Sequence, residues 1–268
     1  MPLAVCATPI GNLDDVTLRV LRELGEADLV LCEDTRHTRK LLERHGVSTR
    51  RLLSYHQHNE AKRTAEVLPR LRAGERVALA SDAGLPGIND PGGKLVAAAL
   101  DEGLPVTVLP GPTAVATALV ASGYVGEKYQ FLGYLPRGEA ALARLWDELA
   151  GWLHPAVAFE SPQRLPSSLA SLARAQPHRP VAVCRELTKR FEEVVRGSAA
   201  ELAKRFQEPP KGEITLVLGA GEGAGGDEGA ALEAVAELLA GGTSRRTAAD
   251  VVARLTGVPR NRLYRDSL

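Results

Sequence analysis

The stretch "RVALASDAGLPGINDPGG", residues 76–93, decides the fold class, because an apolar run leads directly into a loop rich in glycine and proline. Similar apolar runs occur within the first 123 residues at "LAVCA", "DLVLC", "RLLSY" and "VTVLP". Each run is followed by a stretch with helical periodicity. Short strands that alternate with helices predict βα units on a parallel sheet. We therefore predict an α/β fold for this part of the chain.

Glycines mark the expected ends of the helices between these strands. The first helix is predicted over residues 15–24 and ends at Gly25, and the second ends at Gly46. The apolar face of the first helix consists of Val16, Val20, Leu21 and Leu24. Three further glycines are expected to end helices in the same way: Gly74, Gly103 and Gly123.

The alternation of strands and helices breaks after residue 123. Two strand-like runs at residues 181–187 and 192–198 have no helix between them, which predicts an antiparallel hairpin in a mixed sheet. Helices are expected at residues 139–151, 163–175 and 199–206. A chain of 268 residues is long enough for two domains that each bury a core. The predicted organisation is a parallel-sheet N-terminal domain (1–123), a mixed-sheet second α/β domain (124–219), a Gly-rich linker (220–230) and a small helical C-terminal tail (231–268).

Charge is balanced over the whole chain but not within the tail. Lys plus Arg and Asp plus Glu both number 33, so the protein as a whole has no field that would attract nucleic acid. Residues 241–268, by contrast, contain six Arg and two Asp, a net charge of +4. A basic tail of two or three helices fits an RNA-binding patch, whereas many charged tails are only solvated or mediate dimerisation. The sequence leaves both interpretations open.

Composition and motifs disfavour several classes of protein. No apolar run reaches the ~18 residues of a membrane span and no basic leader precedes the first strand, so we expect a cytoplasmic protein without a membrane partner. Cys6, Cys32 and Cys184 are far apart in apolar runs, which predicts buried free thiols. His56 and His58 lack ligand partners at suitable spacing, and no metal is predicted.

The loop at residues 80–93 is the first place to look for a ligand, since open parallel sheets bind ligands at the carboxyl ends of their strands. It matches neither GxGxxG nor GxxxxGK[ST], and the loop "TPIGN" at residues 8–12 has a single glycine, which disfavours a nicotinamide cofactor or a nucleoside triphosphate. Gly84 and Gly87 would let backbone approach a ligand closely. Asp82 either grips an amine-bearing group or caps a helix.

The stretch "EDTRHTRK", residues 33–40, combines carboxylates and cations where a helix begins. Arg36 and Lys40 could hold phosphate or ribose while a carboxylate lies near a hydroxyl to be activated. Alternatively, Asp34 or Thr35 is an N-cap and the rest is a solvated face. The stretch "CRELTKRFEE", residues 184–193, is predicted to be a paired surface hairpin.

Seven motifs in this order and spacing resemble the tetrapyrrole-methylase-like superfamily, and within it the small-subunit ribosomal RNA 2′-O-methyltransferase I family: "ATPIGNLDD", "CEDTRHTRKLL", "SYHQHNE", "SDAGLPGINDPG", "LPGPTAV", "CRELTK" and "KGEITLVL". The resemblance covers about residues 2–219, and the tail is similar to that family's helix-turn-helix-like extension. It implies S-adenosyl-L-methionine bound between two α/β domains. It also implies methyl transfer to the ribose 2′-hydroxyl of a cytidine in the decoding region of small-subunit (16S) rRNA.

The resemblance also implies roles for individual residues. The implied cofactor-binding residues are Pro9, Ile10, Gly11, Asp82, Gly84, Leu85, Pro86, Thr113, Ala114, Glu160, Ser161 and Ile214. A ribose hydroxyl is a poor nucleophile until it loses its proton, so we name Asp34 first and Glu33 second as the catalytic base. The expected contacts to substrate RNA are Arg36, Lys40, Lys189, Arg245, Arg246, Arg260 and Arg262. The expected partners are the small ribosomal subunit and a second copy of the chain in a homodimer.

Two other functions remain possible at this point. A methylase of the same fold could act on a tetrapyrrole such as uroporphyrinogen or a precorrin, which is also polyanionic. A non-catalytic rRNA-binding protein could have kept the fold and use only the tail. The basic tail, "EDTRHTRK" and "SYHQHNE" favour the RNA-modifying branch over the first. The presence together of Asp82, Gly84 and Thr113 argues against the second.

Overall fold

The computed structural model describes residues 2–221, 228–258 and 260–267. It divides into two compact units, of which the first comprises Met1–Ala118 and Arg185–Glu193 and the second comprises Leu119–Cys184 and Val194–Leu268. Residues 185–193 therefore belong with the first unit, although the predicted boundaries placed them in the second domain. Among the described residues, no helix is both long enough and apolar enough to cross a membrane.

The first unit is built on a five-stranded parallel sheet with the order β3-β2-β4-β1-β5. All five predicted strands are confirmed, as β1 (Leu3–Cys6), β2 (Leu29–Cys32), β3 (Leu52–Ser54), β4 (Val77–Ala80) and β5 (Val106–Leu109). The helices between them are α1 (Leu18–Glu26), α2 (Thr35–Arg44), α3 (Glu60–Arg72) and α4 (Gly93–Asp101). Helix α5 (Ala114–Ser122) leads from the first unit into the second.

The sheet is covered on both faces because alternate strand residues point to opposite sides. One face places Ala4, Val30 and Ala78 against apolar residues of α1 and α2. The other face packs Leu3 and Leu79 against α3 and α4. Strands buried on both faces account for the continuous apolar runs that the sequence shows.

The predicted thiols and helix ends can be compared with the structure directly. Cys6, Cys32 and Cys184 are buried and form no disulfide with one another, as expected. Gly46, Gly74, Gly103 and Gly123 all have positive φ just after a helix, which confirms them as stops. The predicted stop at Gly25 is wrong, since α1 begins at Leu18 and continues through Gly25 to Glu26. A Cβ on Gly25 would lie 3.2 Å from Val47 Cγ1, so this glycine serves close packing.

The second unit contains a mixed sheet, as predicted, and its strand order is β6-β7-β10-β8-β9. Its strands are β6 (Gln130–Tyr134), β7 (Ala156–Glu160), β8 (Pro180–Arg185), β9 (Glu193–Ser198) and β10 (Ile214–Leu218). Strands β6 and β7 are parallel, whereas β7 and β10 are antiparallel. The helices α6 (Glu139–Ala150), α7 (Leu165–Ala175) and α8 (Ala199–Arg205) agree closely with the predicted ones. Strand β6 was not predicted.

The tail forms three helices, α9 (Glu228–Ala240), α10 (Arg245–Thr256) and α11 (Arg260–Asp266). Their apolar side chains form a small core of their own around Val235, Val252 and Leu263. Gly257, with φ of 73°, ends α10. The predicted Gly-rich linker falls largely on residues 222–227, outside the described residues.

Candidate active site

The loops that follow β1 and β4 are bound to each other at the carboxyl edge of the first sheet, where these two strands are neighbours. Thr8 and Gly84 exchange two backbone hydrogen bonds, with N–O distances of 2.8 and 3.0 Å. The Thr8 hydroxyl also donates to the Ser81 carbonyl at 2.9 Å. The "TPIGN" and "SDAGLPG" loops therefore form one hydrogen-bonded surface.

Glycines give this surface a bare backbone. Gly84 has φ of 79°, and a Cβ there would lie 3.7 Å from Ile10 Cγ2 and 3.8 Å from the Pro112 carbonyl oxygen. A Cβ on Gly111 would lie 2.8 Å from the Ala7 Cβ, so the loop after β5 also packs against the end of β1. Gly84 must be glycine because of its positive φ, and Gly111 because it lies so close to Ala7. Three loops far apart in sequence thus meet at one edge of the sheet, as the strand order demands.

Asp82 joins the loop after β4 to the start of α2. Its Oδ1 accepts a hydrogen bond from the Asp34 backbone N–H at 2.9 Å, and its Oδ2 lies 2.9 Å from His37 Nδ1. The carboxylate is about one quarter exposed, with 26% of its side-chain surface accessible. Asp82 therefore organises the site and still presents part of its carboxylate to solvent.

Asp34 is the N-cap of α2, which confirms the helix-capping interpretation. Its Oδ1 accepts from the Arg36 backbone N–H at 2.8 Å, and both oxygens bond to the Arg36 guanidinium. Hydrogen bonds from the Arg36 side chain and backbone hold the pKa of Asp34 well below its usual range. A carboxylate with so low a pKa is a weak proton acceptor at neutral pH. The structure therefore gives Asp34 little chemical support as the first choice for a base.

Glu33 and Asp90 have the opposite character. Burial raises the pKa of Glu33, and the negative charge of Asp82 adds to that effect while the neighbouring His56 opposes it. Burial raises the pKa of Asp90 to about 7, with the charges of Glu33 and Asp82 contributing further. A carboxyl whose pKa lies near neutral pH suits general base catalysis. The charge of Asp82 contributes to both shifts and the charge of Glu33 contributes to that of Asp90, so we consider Glu33 and Asp90 together.

Sequence reasoning missed Asp90. The residue stands in the quoted loop as part of "NDPGG", where an aspartate before proline reads simply as a turn residue. Its raised pKa depends on burial and on two carboxylates from other parts of the chain, 8 and 57 positions away in sequence (90 − 82 and 90 − 33). Its position at the carboxyl end of a parallel strand was the available signal.

Asp34, His37 and Asp82 offer ligand atoms that all lie within 4.8 Å of one another, the kind of grouping that can hold a metal ion. Each of the three is already engaged, Asp34 with Arg36, and Asp82 with His37 and the α2 backbone. The hydrogen bonds among Asp34, His37 and Asp82 are enough to explain why their ligand atoms lie close together. The rings of His56 and His58 meet edge to face at 5.9 Å.

The remaining residues implied as cofactor contacts belong to different surroundings. Thr113 and Ala114 stand where α5 begins, with the Thr113 carbonyl accepting from the Thr117 N–H at 3.0 Å. Glu160 is 2% exposed, and its carboxylate bonds to Arg164, Ser168 and the Ser161 N–H. Glu160 therefore binds residues of its own unit beside the start of α7.

Two more of the implied contacts lie in the second unit. Ser161 accepts through its carbonyl from the N–H groups of Arg164 and Leu165, both at 3.0 Å. Ile214 is buried in the apolar core of the second unit. Any contact from Ile214 to a ligand would have to come from its backbone.

Several of the residues expected to bind RNA already contact other side chains. Arg36 is tied to Asp34, and Arg260 to Asp250. Arg245 donates to Ser267 and lies over the Tyr264 ring at 4.8 Å, so it stabilises the tail. Lys40, Arg246 and Arg262 are exposed as well.

Lys189 lies in an open groove of the first unit. The groove has a volume of about 680 Å³ and is lined by Gly11, Asn12, Leu13, Asp14, Arg44, Thr188, Lys189 and Arg190. A Cβ on Gly11 would lie 2.5 Å from Lys189 Cγ and 2.7 Å from Thr188 Oγ1. The segment predicted to be a plain surface hairpin therefore packs directly on the "TPIGN" loop.

Comparison with known protein families agrees with this architecture. Residues 2–203 match the family described as Tetrapyrrole (Corrin/Porphyrin) Methylases. Residues 226–266 match the RsmI C-terminal HTH domain.

The chain is also similar to curated proteins along nearly its whole length. A ribosomal RNA small subunit methyltransferase I from Micromonospora olivasterospora is 42% identical over 98% of this chain and 85% of its own length. The protein of that name from Mesorhizobium japonicum is 42% identical over 98% of this chain and 90% of its own length. The one from Thermotoga maritima is 43% identical over 81% of this chain and 97% of its own length.

Solved structures show the same fold at lower identity. The uroporphyrin-III C-methyltransferase of Thermus thermophilus in complex with S-adenosylhomocysteine is 21% identical, with a TM-score of 0.55 over 81% of this chain and 96% of that chain. A cobalt precorrin-4 methyltransferase is 19% identical, with a TM-score of 0.58 over 81% of this chain and 94% of that chain. At these identities the similarity concerns the fold alone.

Proposed function

The chain belongs to the ribosomal RNA small subunit methyltransferase I family, and we propose that it is an S-adenosylmethionine-dependent rRNA methyltransferase that modifies the 2′-hydroxyl of a cytidine ribose in the decoding region of 16S rRNA. The observation that carries this proposal is the meeting of three loops at one sheet edge. These loops present a bare glycine backbone and the Asp90 carboxyl, and Glu33 follows β2, the strand beside β4; the pKa of both carboxyls is raised.

The residues at this edge fit the cofactor. Pro9 and Ile10 are buried beside Gly84 and give an apolar wall, while the bare backbone of Gly84 lets a bound group approach closely. The partly exposed carboxylate of Asp82 suits an amine or a ribose hydroxyl. When bound, S-adenosylmethionine supplies a methyl group on a positively charged sulfur. We assign Leu85, Pro86, Thr113 and Ala114 to the rim of the same site.

The chain's own chemical task is to align the ribose hydroxyl and to accept its proton. Alignment of two reacting groups can supply several kcal/mol of a barrier. In the transfer, a bond forms between the ribose oxygen and the methyl carbon, the carbon–sulfur bond breaks, and the hydroxyl proton leaves. We assign that proton to the Glu33 and Asp90 pair, because Asp34 is held ionised by Arg36 and is only weakly basic.

The tail distinguishes this function from methylation of a tetrapyrrole. The fold similarity to uroporphyrin and precorrin methyltransferases covers 81% of the chain. The match to the RsmI C-terminal HTH domain begins at residue 226 and accounts for a separate three-helix core. A helix-turn-helix unit is typical of nucleic-acid binding, which favours an RNA substrate.

We extend the proposal to the surroundings of the reaction. The acceptor is the small ribosomal subunit, the protein acts in the cytoplasm, and two copies form a homodimer. In support of the dimer, the edge strand β5 exposes Val108 to 52%, and exposed apolar side chains on a sheet edge favour association. Light scattering of the purified protein at two concentrations tests this part, and a monomer at both would reject it.

The central experiment measures transfer of labelled methyl from S-adenosylmethionine to small subunits purified from cells that lack this protein. The modified nucleoside is then identified by mass spectrometry. We expect 2′-O-methylcytidine in the decoding region. Subunits from cells that contain the protein are the control and should accept no label. A preparation that binds the cofactor by calorimetry and yet labels neither subunits nor extracted rRNA would reject the rRNA substrate.

A further inference from the structure

The turn that joins β8 to β9 is held in an unusual conformation beside the "TPIGN" loop. Glu186 and Thr188 have φ of 51° and 64°, although neither is glycine. A positive φ is unfavourable for a β-branched residue and persists only where the surroundings impose it. Here Thr188 Oγ1 accepts from the Asn12 N–H at 2.9 Å, and the Thr188 N–H donates to Glu192. These contacts therefore fix the conformation of the first part of the turn.

Arg190 and Phe191 follow Thr188 and Lys189 in the same turn. Arg190 lines the groove and is exposed, and its guanidinium lies 5.6 Å from the centre of the Phe191 ring. Phe191 is 65% exposed. A phenylalanine that is largely exposed beside a cation resembles the platforms on which single-stranded RNA is bound, where a base stacks on the ring and a cation holds the phosphate.

The charges of the groove agree with a phosphate ligand. Arg44 is paired with Asp14, and Lys189 with Glu186, each at 2.9 Å. Arg190 has no carboxylate partner within the part of the chain that the structure describes. The lining contains a single large apolar residue, Leu13. The core of a protein interface is depleted of charged residues, so this groove fits a polyanion better than a protein.

We propose that Phe191 and Arg190 bind one nucleotide of single-stranded RNA next to the methylated ribose, with the base stacked on Phe191 and its phosphate on Arg190. The inference rests on the proposed function for the identity of the RNA. The groove begins at Gly11, directly after Pro9 and Ile10, so the bound strand would pass beside the cofactor loops. Phe191 and Arg190 thus act in substrate positioning.

The test uses the full-length protein and short single-stranded RNAs of the decoding-region sequence, each with 2-aminopurine at one position. Wild-type protein should quench the fluorescence at one position adjacent to the target, since stacking on an aromatic ring quenches this base. Phe191→Ala should abolish that quenching and weaken binding by about tenfold, in line with the usual contribution of one stacked base. Phe191→Trp should retain both.

Matched variants separate this effect from a general loss of an exposed apolar or basic residue. Leu100 is 58% exposed on α4, and Leu100→Ala should bind RNA as the wild type does. Arg190→Ala should reduce the slope of log K against log salt by about 0.7, the value for one phosphate of a single strand. Arg22→Ala, an exposed position on α1, should leave the slope unchanged.

Two outcomes would overturn the proposal. The first is wild-type affinity and quenching in Phe191→Ala. The second is a change of oligomeric state in Phe191→Ala by light scattering, which would place the ring between two copies of the chain. Methyl transfer is measured on the same preparations. If the wild type binds RNA through Phe191 but transfers no methyl to small subunits, the proposed function fails while the binding of RNA by Phe191 and Arg190 stands.

Discussion

Replacement of Asp90 by asparagine tests the proposed proton acceptor. With a pKa of about 7, the wild-type carboxyl is about 9% ionised at pH 6 and about 91% ionised at pH 8. The single-turnover rate of methyl transfer should therefore rise about tenfold between these two values. Asp90→Asn should remove this rise and lower the rate at pH 8 by about 10²- to 10⁴-fold, the usual contribution of a general base.

Stability distinguishes this effect from unfolding. The pKa of Asp90 is raised in the folded protein, so its contribution to the free energy of unfolding is complete below about pH 4 and is lost as the pH rises through about 7. Asparagine carries no charge at any of these values. Asp90→Asn should consequently be at least as stable as the wild type at pH 8 in thermal unfolding.

Glu33→Gln provides a second variant for the same pair. The charge of Glu33 contributes to the raised pKa of Asp90, so its removal should shift the pH dependence of the rate to lower pH. Cofactor affinity measured by calorimetry serves as the control in both variants. An Asp90→Asn protein that keeps the tenfold rise, or a Glu33→Gln protein whose profile does not move, would refute the assignment of the proton to this pair.

Three further predictions follow from the packing. Gly11→Ala should destabilise the protein by about 1–3 kcal/mol, because the added Cβ would lie 2.5 Å from Lys189 Cγ. Gly93→Ala is the control, since a Cβ added there would have no neighbour within 4 Å, and equal melting temperatures for the two variants would contradict the close approach. Glu160→Gln should lower the melting temperature and leave cofactor affinity unchanged in calorimetry, since the carboxylate pairs internally with Arg164; a selective loss of cofactor binding would show instead that Glu160 is a ligand contact. Deletion of residues 225–268 should lower methyl transfer to small subunits while cofactor affinity is retained, since the tail has its own core; full turnover by the truncated protein would remove the tail from RNA capture.

The sequence by itself determined the order of strands and helices in the first unit. Buried parallel strands such as "RVALA" are continuous apolar runs, and four of the five glycines predicted to end helices do so. The sequence also identified the loops that the structure brings together, because the residues that follow parallel strands meet at the carboxyl edge of their sheet. The charge and composition of residues 231–268 also predicted a basic helical tail.

Only the tertiary structure decided the direction in which the pKa of each of these carboxyl groups is shifted. Asp34 and Asp90 are both aspartates at the carboxyl edge, yet Arg36 lowers the pKa of the first and burial beside Glu33 and Asp82 raises that of the second. The sequence predicted only a surface hairpin at residues 184–193, whereas in the structure Thr188 and Lys189 lie against Gly11. A pKa and a groove depend on burial and on neighbours distant in sequence, whereas periodicity and composition report only on the local chain.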